Sequence, residues 1–340
     1  MLVIVVVFVF ACLVSLFNGA NDNFKGFATV WGSGLISYRK ALILSTTATV
    51  LGGLLSILVS KHILSEFTGY GFIVLNNKFH YNFVLAIAVG ASITLLIATK
   101  FGFPVSTTHA LLGALVGSAI AIPSTTFYWD KIIKTFVFPL LFSPLVSLII
   151  SYLFNKKALV TGILSKRDQN DSVDLLKKID YSVVQNKKQN LLHLLSAFLI
   201  SLSRGINDTP KIASLLLVLP FFSSITCLLT VISLMAAGGF LFAKPVAMTM
   251  SKRITTLDYS SGIKANLTTT FLVLIASNFG LPVSTTHVSV GSITGIGYSN
   301  SEFFDKKMFY SILLSWIITR LFPNYGGSYN HPQSTLTRTL

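Results

Sequence analysis

One eight-residue segment occurs twice in this chain. Gly102-Phe103-Pro104-Val105-Ser106-Thr107-Thr108-His109 returns as Gly280-Leu281-Pro282-Val283-Ser284-Thr285-Thr286-His287, differing only at Phe103/Leu281. Both copies continue in register, Gly113 and Gly117 answering to Gly291 and Gly295. Upstream of each, an Asn-Asp pair closes an apolar run: Asn21-Asp22, then Asn207-Asp208. Charged and hydroxyl residues set inside apolar segments, and duplicated in the same order, restrict the fold to two related halves around a central polar site. Secondary transporters are organised in this way.

Composition supplies the medium. Hydrophobic residues make up 52% of the 340 and charged residues only 11%, against about 25% charged in ordinary soluble domains. Nearly uncharged stretches cover 1–18, 41–60, 83–99, 131–153, 191–202, 212–243, 265–277 and 308–318. Several of them reach the roughly 20 residues that a helix needs to cross a bilayer. The expectation is an all-α polytopic protein of the cell membrane, with lipid as its first partner. Residues 1–18 have neither a basic n-region nor a small-residue cleavage site and lead straight into Asn21-Asp22, so they read as a retained span.

The net charge of +15 belongs largely to short connections and to the stretch 155–190. That stretch carries eight lysines and arginines against four aspartates. A basic excess beside apolar spans marks a cytoplasmic loop. A nucleic-acid surface would interleave aromatics, and Tyr181 stands alone there, so no nucleic-acid partner is expected. The organisation expected is a first transmembrane repeat over 1–154, the basic loop over 155–190, a second repeat over 191–322 and an atypical polar tail over 323–340. Cys12 and Cys227 sit in apolar runs without metal or disulfide spacing.

The repeated Pro-Val-Ser-Thr-Thr run has the chemistry of a helix start. Proline tolerates the first turn and serine or threonine caps it. The first amides of a helix lack internal partners. With Ser106, Thr107, Thr108 and Ser284, Thr285, Thr286 at two such starts, exposed amides, dipole and hydroxyls would form two anion cradles. The plainer alternative is a pair of proline kinks whose hydroxyls bond back to their own helices. Retention of every hydroxyl in both copies favours the cradles.

Asp22 and Asp208 bring the opposite charge. A carboxylate inside a membrane segment costs about 2.5–3.5 kcal/mol on insertion scales, so each must meet a cation, a proton or a buried donor. Carboxylate, amide oxygen and hydroxyl suit Na⁺ or a proton relay. Acidic groups beside an anion cradle make sense if a cation enters with the anion.

At this point the residues resemble a known family. Gly19-Ala20-Asn21-Asp22 with Phe27-Ala28-Thr29, and Arg204-Gly205-Ile206-Asn207-Asp208 in the second half, resemble the signatures of the inorganic phosphate transporter (PiT) family. The two Pro-Val-Ser-Thr-Thr-His segments look like its re-entrant hairpins. The resemblance covers residues 1 to about 318. It implies two inverted structural repeats, each with a broken helix and a re-entrant helical hairpin. It also implies a Na⁺- or H⁺-coupled phosphate symporter, commonly a homodimer, with no cofactor. Carried over by position, Asp22, Ser106, Thr107, Thr108, Asp208, Ser284, Thr285 and Thr286 would line the anion site. Asn21 and Asn207 would join Asp22 and Asp208 in holding Na⁺.

Lys25 departs from that pattern, standing where the common motif has asparagine. The second copy reads Asn207-Asp208-Thr209-Pro210-Lys211, so both halves present Asn-Asp-x-x-Lys. Aspartate and lysine three apart share a helix face. Lys25 and Lys211 are then static partners of the aspartates, or they contact the anion, or they supply charge that a Na⁺ would otherwise bring. The last reading lowers the sodium stoichiometry. Neutralised carboxylates would also distinguish phosphate, which carries protons, less well from sulfate, which carries none. A sulfate permease of the same fold is the alternative.

His109 and His287 either relay protons or pack within the hairpins. The two GxxxG patterns suit close helix packing. An enzyme would need a nucleophile with its base or a metal cluster, and neither a GxSxG elbow nor metal spacing occurs. A channel would not call for duplicated charged sites. Phe304-Asp305-Lys306 opens an apolar span matching that after Trp129-Asp130-Lys131, yet Arg320 and Pro323 end it early. A truncated or frameshifted gene end is the expectation there.

Overall fold

The computed structural model describes residues 1–59, 73–74, 81–122, 125–161, 175–252 and 259–300, together with Tyr310 and Leu314. The centre of the basic loop and the C-terminal span and tail, on which the gene-end reading rests, lie outside these residues. The described helices are α1 (Leu2–Asp22), α2 (Ala28–Gly32), α3 (Tyr38–Val59), α4 (Tyr81–Lys100), α5 (Thr107–Ile120), α6 (Phe138–Thr161), α7 (Leu175–Leu217), α8 (Ser224–Phe242), α9 (Lys244–Lys252), α10 (Tyr259–Asn278) and α11 (Thr285–Asn300). A turn at Trp129–Ile132 and a π-helical stretch at Ile133–Val137 lead into α6. Ile73–Val74 and Thr126–Phe127 form a two-stranded antiparallel pair.

Five of these segments are long and apolar enough to cross a membrane: Leu2–Gly32, Tyr38–Leu58, Tyr81–Lys100, Trp129–Lys156 and Ser224–Phe242. Large apolar side chains line their outsides, as at Leu51, Leu54, Leu55 and Leu58 of α3 or Leu141, Leu145 and Ile149 of α6. Polar and charged residues are gathered inside; Arg204 and Lys211 rank among the largest fully buried side chains. Such an inside-out distribution belongs to a protein solvated by lipid, where an interior polar group is satisfied by protein and not by water.

Packing follows the sequence duplication, with partners exchanged between the halves. Helix α1 packs on α8 and α7 packs on α3. Each half also pairs its first helix with the helix that leads into the repeated motif, α1 with α4 and α7 with α10. Glycines make the exchanged crossings possible. A Cβ on Gly19 would lie 2.0 Å from the Met235 carbonyl oxygen, and one on Gly238 would lie 1.8 Å from that of Leu16. At the equivalent crossing Gly205 meets the Thr49 carbonyl (2.3 Å) and Gly52 meets that of Leu202 (2.1 Å). Close approach of small residues is how helices associate when lipid removes the hydrophobic incentive. Gly291 and Gly295 do the same for α11 against α6, at the carbonyls of Pro144 and Leu148, so that GxxxG pair packs as its spacing predicts.

One expectation needs correction. The helix break at the Asn-Asp motif occurs only in the first half, where α1 ends at Asp22 and a 3₁₀ turn, Lys25–Phe27, precedes α2. Helix α7 runs unbroken through Asn207-Asp208 and Pro210. Gly26, a poor helix former, sits where the second copy has Ile212, and its Cβ position is 2.1 Å from Ser201 Oγ. The apolar stretch 212–243 is divided by a turn between Leu217 and Ser224. Of the basic connection, the part up to Thr161 and the part from Leu175 are helical.

Alanine at Gly19 or Gly205 should lower stability by about 1–3 kcal/mol, because a rigid carbonyl must give way. Gly90→Ala, whose Cβ would meet only the Ala114 methyl at 3.3 Å, should change it little. Thermal unfolding in detergent measures both.

Candidate functional site

The repeated motif adopts one conformation twice. Helix α4 ends in a left-handed glycine, Gly102 (φ 72°), and α10 in Gly280 (φ 68°). Gly102 N–H bonds the Thr99 carbonyl (3.0 Å) and Phe103 N–H that of Ala98 (2.9 Å). The equivalents are Gly280 to Ser277 (3.1 Å) and Leu281 to Ala276 (2.8 Å). This is the Schellman ending, which glycine permits without steric cost. A short irregular stretch follows, closed in the second copy by a Val283 N–H to Leu281 carbonyl bond (2.9 Å), until Ser106 and Ser284 start the next helices as N-caps. Ser106 Oγ accepts from His109 N–H and Ser284 Oγ from His287 N–H, both at 3.1 Å. The expected helix starts are therefore present in both copies.

Their lips face each other. Thr286 Oγ1 donates to the Val105 carbonyl at 2.9 Å, and Thr108 Oγ1 to the Val283 carbonyl at 3.4 Å. Beside them the His109 and His287 rings lie with centroids 4.3 Å apart, tilted by 39°. Each histidine thus packs on its counterpart across the junction of the halves.

The two lysines bind this junction together. Lys25 Nζ lies within hydrogen-bond distance of four acceptors: the Asp22 carboxylate, Asn21 Oδ1 (2.9 Å), the Val105 carbonyl (2.9 Å) and Thr286 Oγ1 (2.6 Å). Lys211 Nζ donates to Asp208 Oδ1 (3.4 Å), the Val283 carbonyl (2.9 Å) and Thr108 Oγ1 (2.9 Å). Each ammonium thus contacts its own aspartate, the valine carbonyl of its own half and the third hydroxyl of the other half. Asp22, Lys25, Asp208 and Lys211 are each at most 3% exposed.

Asparagines tie the acidic motifs to the hairpins. Asn21 Nδ2 donates to Phe103 O (2.9 Å) and Thr99 Oγ1 (3.2 Å), and its Oδ1 accepts from Val105 N–H (3.1 Å). Asn207 Nδ2 donates to Val283 O (3.3 Å) and Asp208 Oδ1 (3.1 Å), while Ser277 Oγ donates to Asn207 Oδ1 (3.2 Å). The amide oxygens expected to hold Na⁺ therefore accept from protein donors.

Of the sequence-predicted residues, Asn21, Asp22, Lys25, Thr108, Asn207, Asp208, Lys211 and Thr286 converge in one buried network. Ser106 and Ser284 cap the helices at its edge, and Thr285 is buried at the start of α11. Thr107 accepts from Asn18 Nδ2 at 2.7 Å. Sequence reasoning missed Asn18, which also donates to Asp22 Oδ2 (3.4 Å), and its counterpart Arg204. Both precede their aspartate by one helical turn, a spacing that could have flagged them. Here the halves differ. Arg204 is 2% exposed and gives one hydrogen bond, Nη2 to Thr49 Oγ1 at 3.3 Å. Among the described residues its Nε and Nη1, and Asp208 Oδ2, have no hydrogen-bond partner.

Residues 18–322 match the phosphate transporter family. The chain belongs to that family. It is a multi-pass membrane protein of a transporter family, not an enzyme. Among its relatives is a Pyrococcus furiosus protein named "Putative phosphate permease", 26% identical over 374 residues, which cover 88% of this chain and 89% of the other. A Mycobacterium bovis protein named "Probable low-affinity inorganic phosphate transporter" is 25% identical over 307 residues, 86% of this chain and 68% of the other. A solved structure titled "The sodium-dependent phosphate transporter" superposes with a TM-score of 0.79 at 23% identity, covering 95% of this chain and 96% of that one, which shows the shared fold.

Lys211→Met should destabilise the protein by about 3–5 kcal/mol, because it strands a buried carboxylate. Adding Asp208→Asn should restore most of that loss. Thermal unfolding of single and double variants in detergent tests the pairing; a single variant as stable as the parent refutes it.

Proposed function

We propose that this chain is a secondary active transporter that carries inorganic phosphate across the membrane in symport with a cation, Na⁺ or H⁺, by alternating access. The two halves would be inverted repeats. The hairpins α4–α5 and α10–α11 would be re-entrant, with the anion bound where their lips meet near the bilayer midplane. Duplicated helix starts, unwound carbonyls and buried charges converging at one junction support this reading, since a midplane site between repeats is what rocking exposes to each side in turn. A homodimer is consistent with the family pattern implied by the motifs.

The observation that carries the substrate reading is the charge and hydrogen-bond balance of the junction. Asp22 and Asp208 are matched by Lys25 and Lys211, leaving Arg204 as a buried surplus cation. Desolvated cations without full partners are costly, and an incoming anion offsets that cost. Asp208 Oδ2 is an acceptor with no donor among the described residues. Phosphate near neutral pH carries protons that such an acceptor takes; sulfate has none and would leave it unsatisfied. The serine and threonine lips and helix amides would hold the remaining oxygens. Engagement of both aspartates by lysine keeps sulfate as the second reading.

Labelled phosphate should accumulate above equilibrium in proteoliposomes holding the purified chain when an inward cation gradient is imposed, and excess unlabelled sulfate should compete weakly. Asp208→Asn should weaken phosphate binding by about 1–3 kcal/mol, roughly tenfold to a hundredfold. Flux that only dissipates a phosphate gradient would make the protein a channel. Strong sulfate competition, unaltered by Asp208→Asn, would make it a sulfate permease.

A further inference from the structure

We infer that Lys25 and Lys211 are tethered cations occupying the two pockets in which a coupling Na⁺ would otherwise bind, so that this chain moves its anion without sodium. The inference rests on the transport reading above and narrows its coupling ion to the proton.

The donor sets carry it. The Lys25 ammonium is surrounded by a carboxylate (Asp22), an amide oxygen (Asn21 Oδ1, 2.9 Å), a main-chain carbonyl (Val105, 2.9 Å) and a hydroxyl (Thr286, 2.6 Å). Lys211 meets a carboxylate, a carbonyl and a hydroxyl of the same kinds. Hard oxygens of this mixture are what a small, poorly polarisable cation selects. The carbonyls come from unwound chain just before a helix start, where transporters hold their coupling ions. An ammonium has three protons, and Lys25 has four oxygens about it, so its cage is richer than a lysine alone requires.

Position and charge point the same way. Each cage takes its hydroxyl from the opposite half, so its cation joins the hairpin lip of one half to the acidic motif of the other. A mobile ion in these pockets would couple site assembly to an external gradient. A lysine assembles them permanently and cannot leave, so no sodium gradient can do work there. With both lysines in place, the five buried charges of Asp22, Asp208, Lys25, Lys211 and Arg204 already sum to +1, and an anion needs no companion Na⁺ for charge balance. If the lysines were no more than structural ties, a coupling Na⁺ could still bind at some other place, and sodium would then stabilise the unaltered chain.

Two measurements on the full chain decide this. In detergent, NaCl should give the unaltered protein no more thermal stabilisation than N-methylglucamine chloride does, with or without phosphate. Lys25→Asn opens one cage and leaves Asp22 without its cation, so its unfolding temperature should rise with NaCl specifically, as linkage to a bound ion demands. Asp22→Asn/Lys25→Asn, which removes both charges, should fold without showing that dependence, and guards against a single variant that fails to fold. In proteoliposomes an inward proton gradient should drive phosphate accumulation in Na⁺-free medium, and an inward Na⁺ gradient should not. Sodium-specific stabilisation of the unaltered chain, or accumulation driven by Na⁺ alone, overturns the proposal. Absence of phosphate uptake under every gradient would overturn the transport reading instead, while the sodium arm in detergent would still decide the tethered cations.

Discussion

Four buried side chains, Asp22, Lys25, Asp208 and Lys211, hold the centre of this protein, and most of the remaining structure can be understood as keeping water and lipid away from them. A charge inside a bilayer is tolerated when it is paired and its remaining donors and acceptors are met. Here the pairing is local, three residues apart along the chain, but the completion is distant: each ammonium needs a carbonyl from its own hairpin and a threonine from the opposite one. Electrostatics therefore does what apolar contact does in soluble cores, drawing remote segments to one point.

The glycine crossings serve that same end. Gly19 and Gly205 sit three residues before the two aspartates, and the neighbouring helices touch the backbone at those points. Bringing α8 onto α1 and α3 onto α7 so closely leaves little freedom in how the acidic motifs are presented. The left-handed turns at Gly102 and Gly280 do the corresponding work for the hairpins, aiming two helix starts at one junction. Rigid presentation from both sides fixes the junction, where a few misplaced tenths of an ångström would alter every charge-assisted bond.

Two differences between the halves lie beside the aspartates. Asn18 faces Arg204 as its counterpart, and the break after Asp22 faces an unbroken α7. The first difference places a buried cation in the second half where the first has a neutral amide. The second gives the two aspartates different backbone settings, one at a helix end and one within a helix. The two halves thus become electrostatically unequal.

Much of this was legible in the chain itself. Duplication of Pro-Val-Ser-Thr-Thr-His and of Asn-Asp-x-x-Lys, set in apolar runs, determined a membrane protein of two related halves, and named eight of the residues that meet in the central network. Capping by Ser106 and Ser284 and pairing of Asp22 with Lys25 follow from spacing alone, because both are contacts within one or two helical turns. What only the tertiary structure decided is mostly across the halves: Thr286 on Lys25, Thr108 on Lys211 and the contact of His109 with His287; the burial of Arg204 and the continuity of α7 through Pro210 belong with them. Periodicity reports which face of a helix is polar. It carries no information on which distant hydroxyl that face will meet, and that choice is made only when the helices pack.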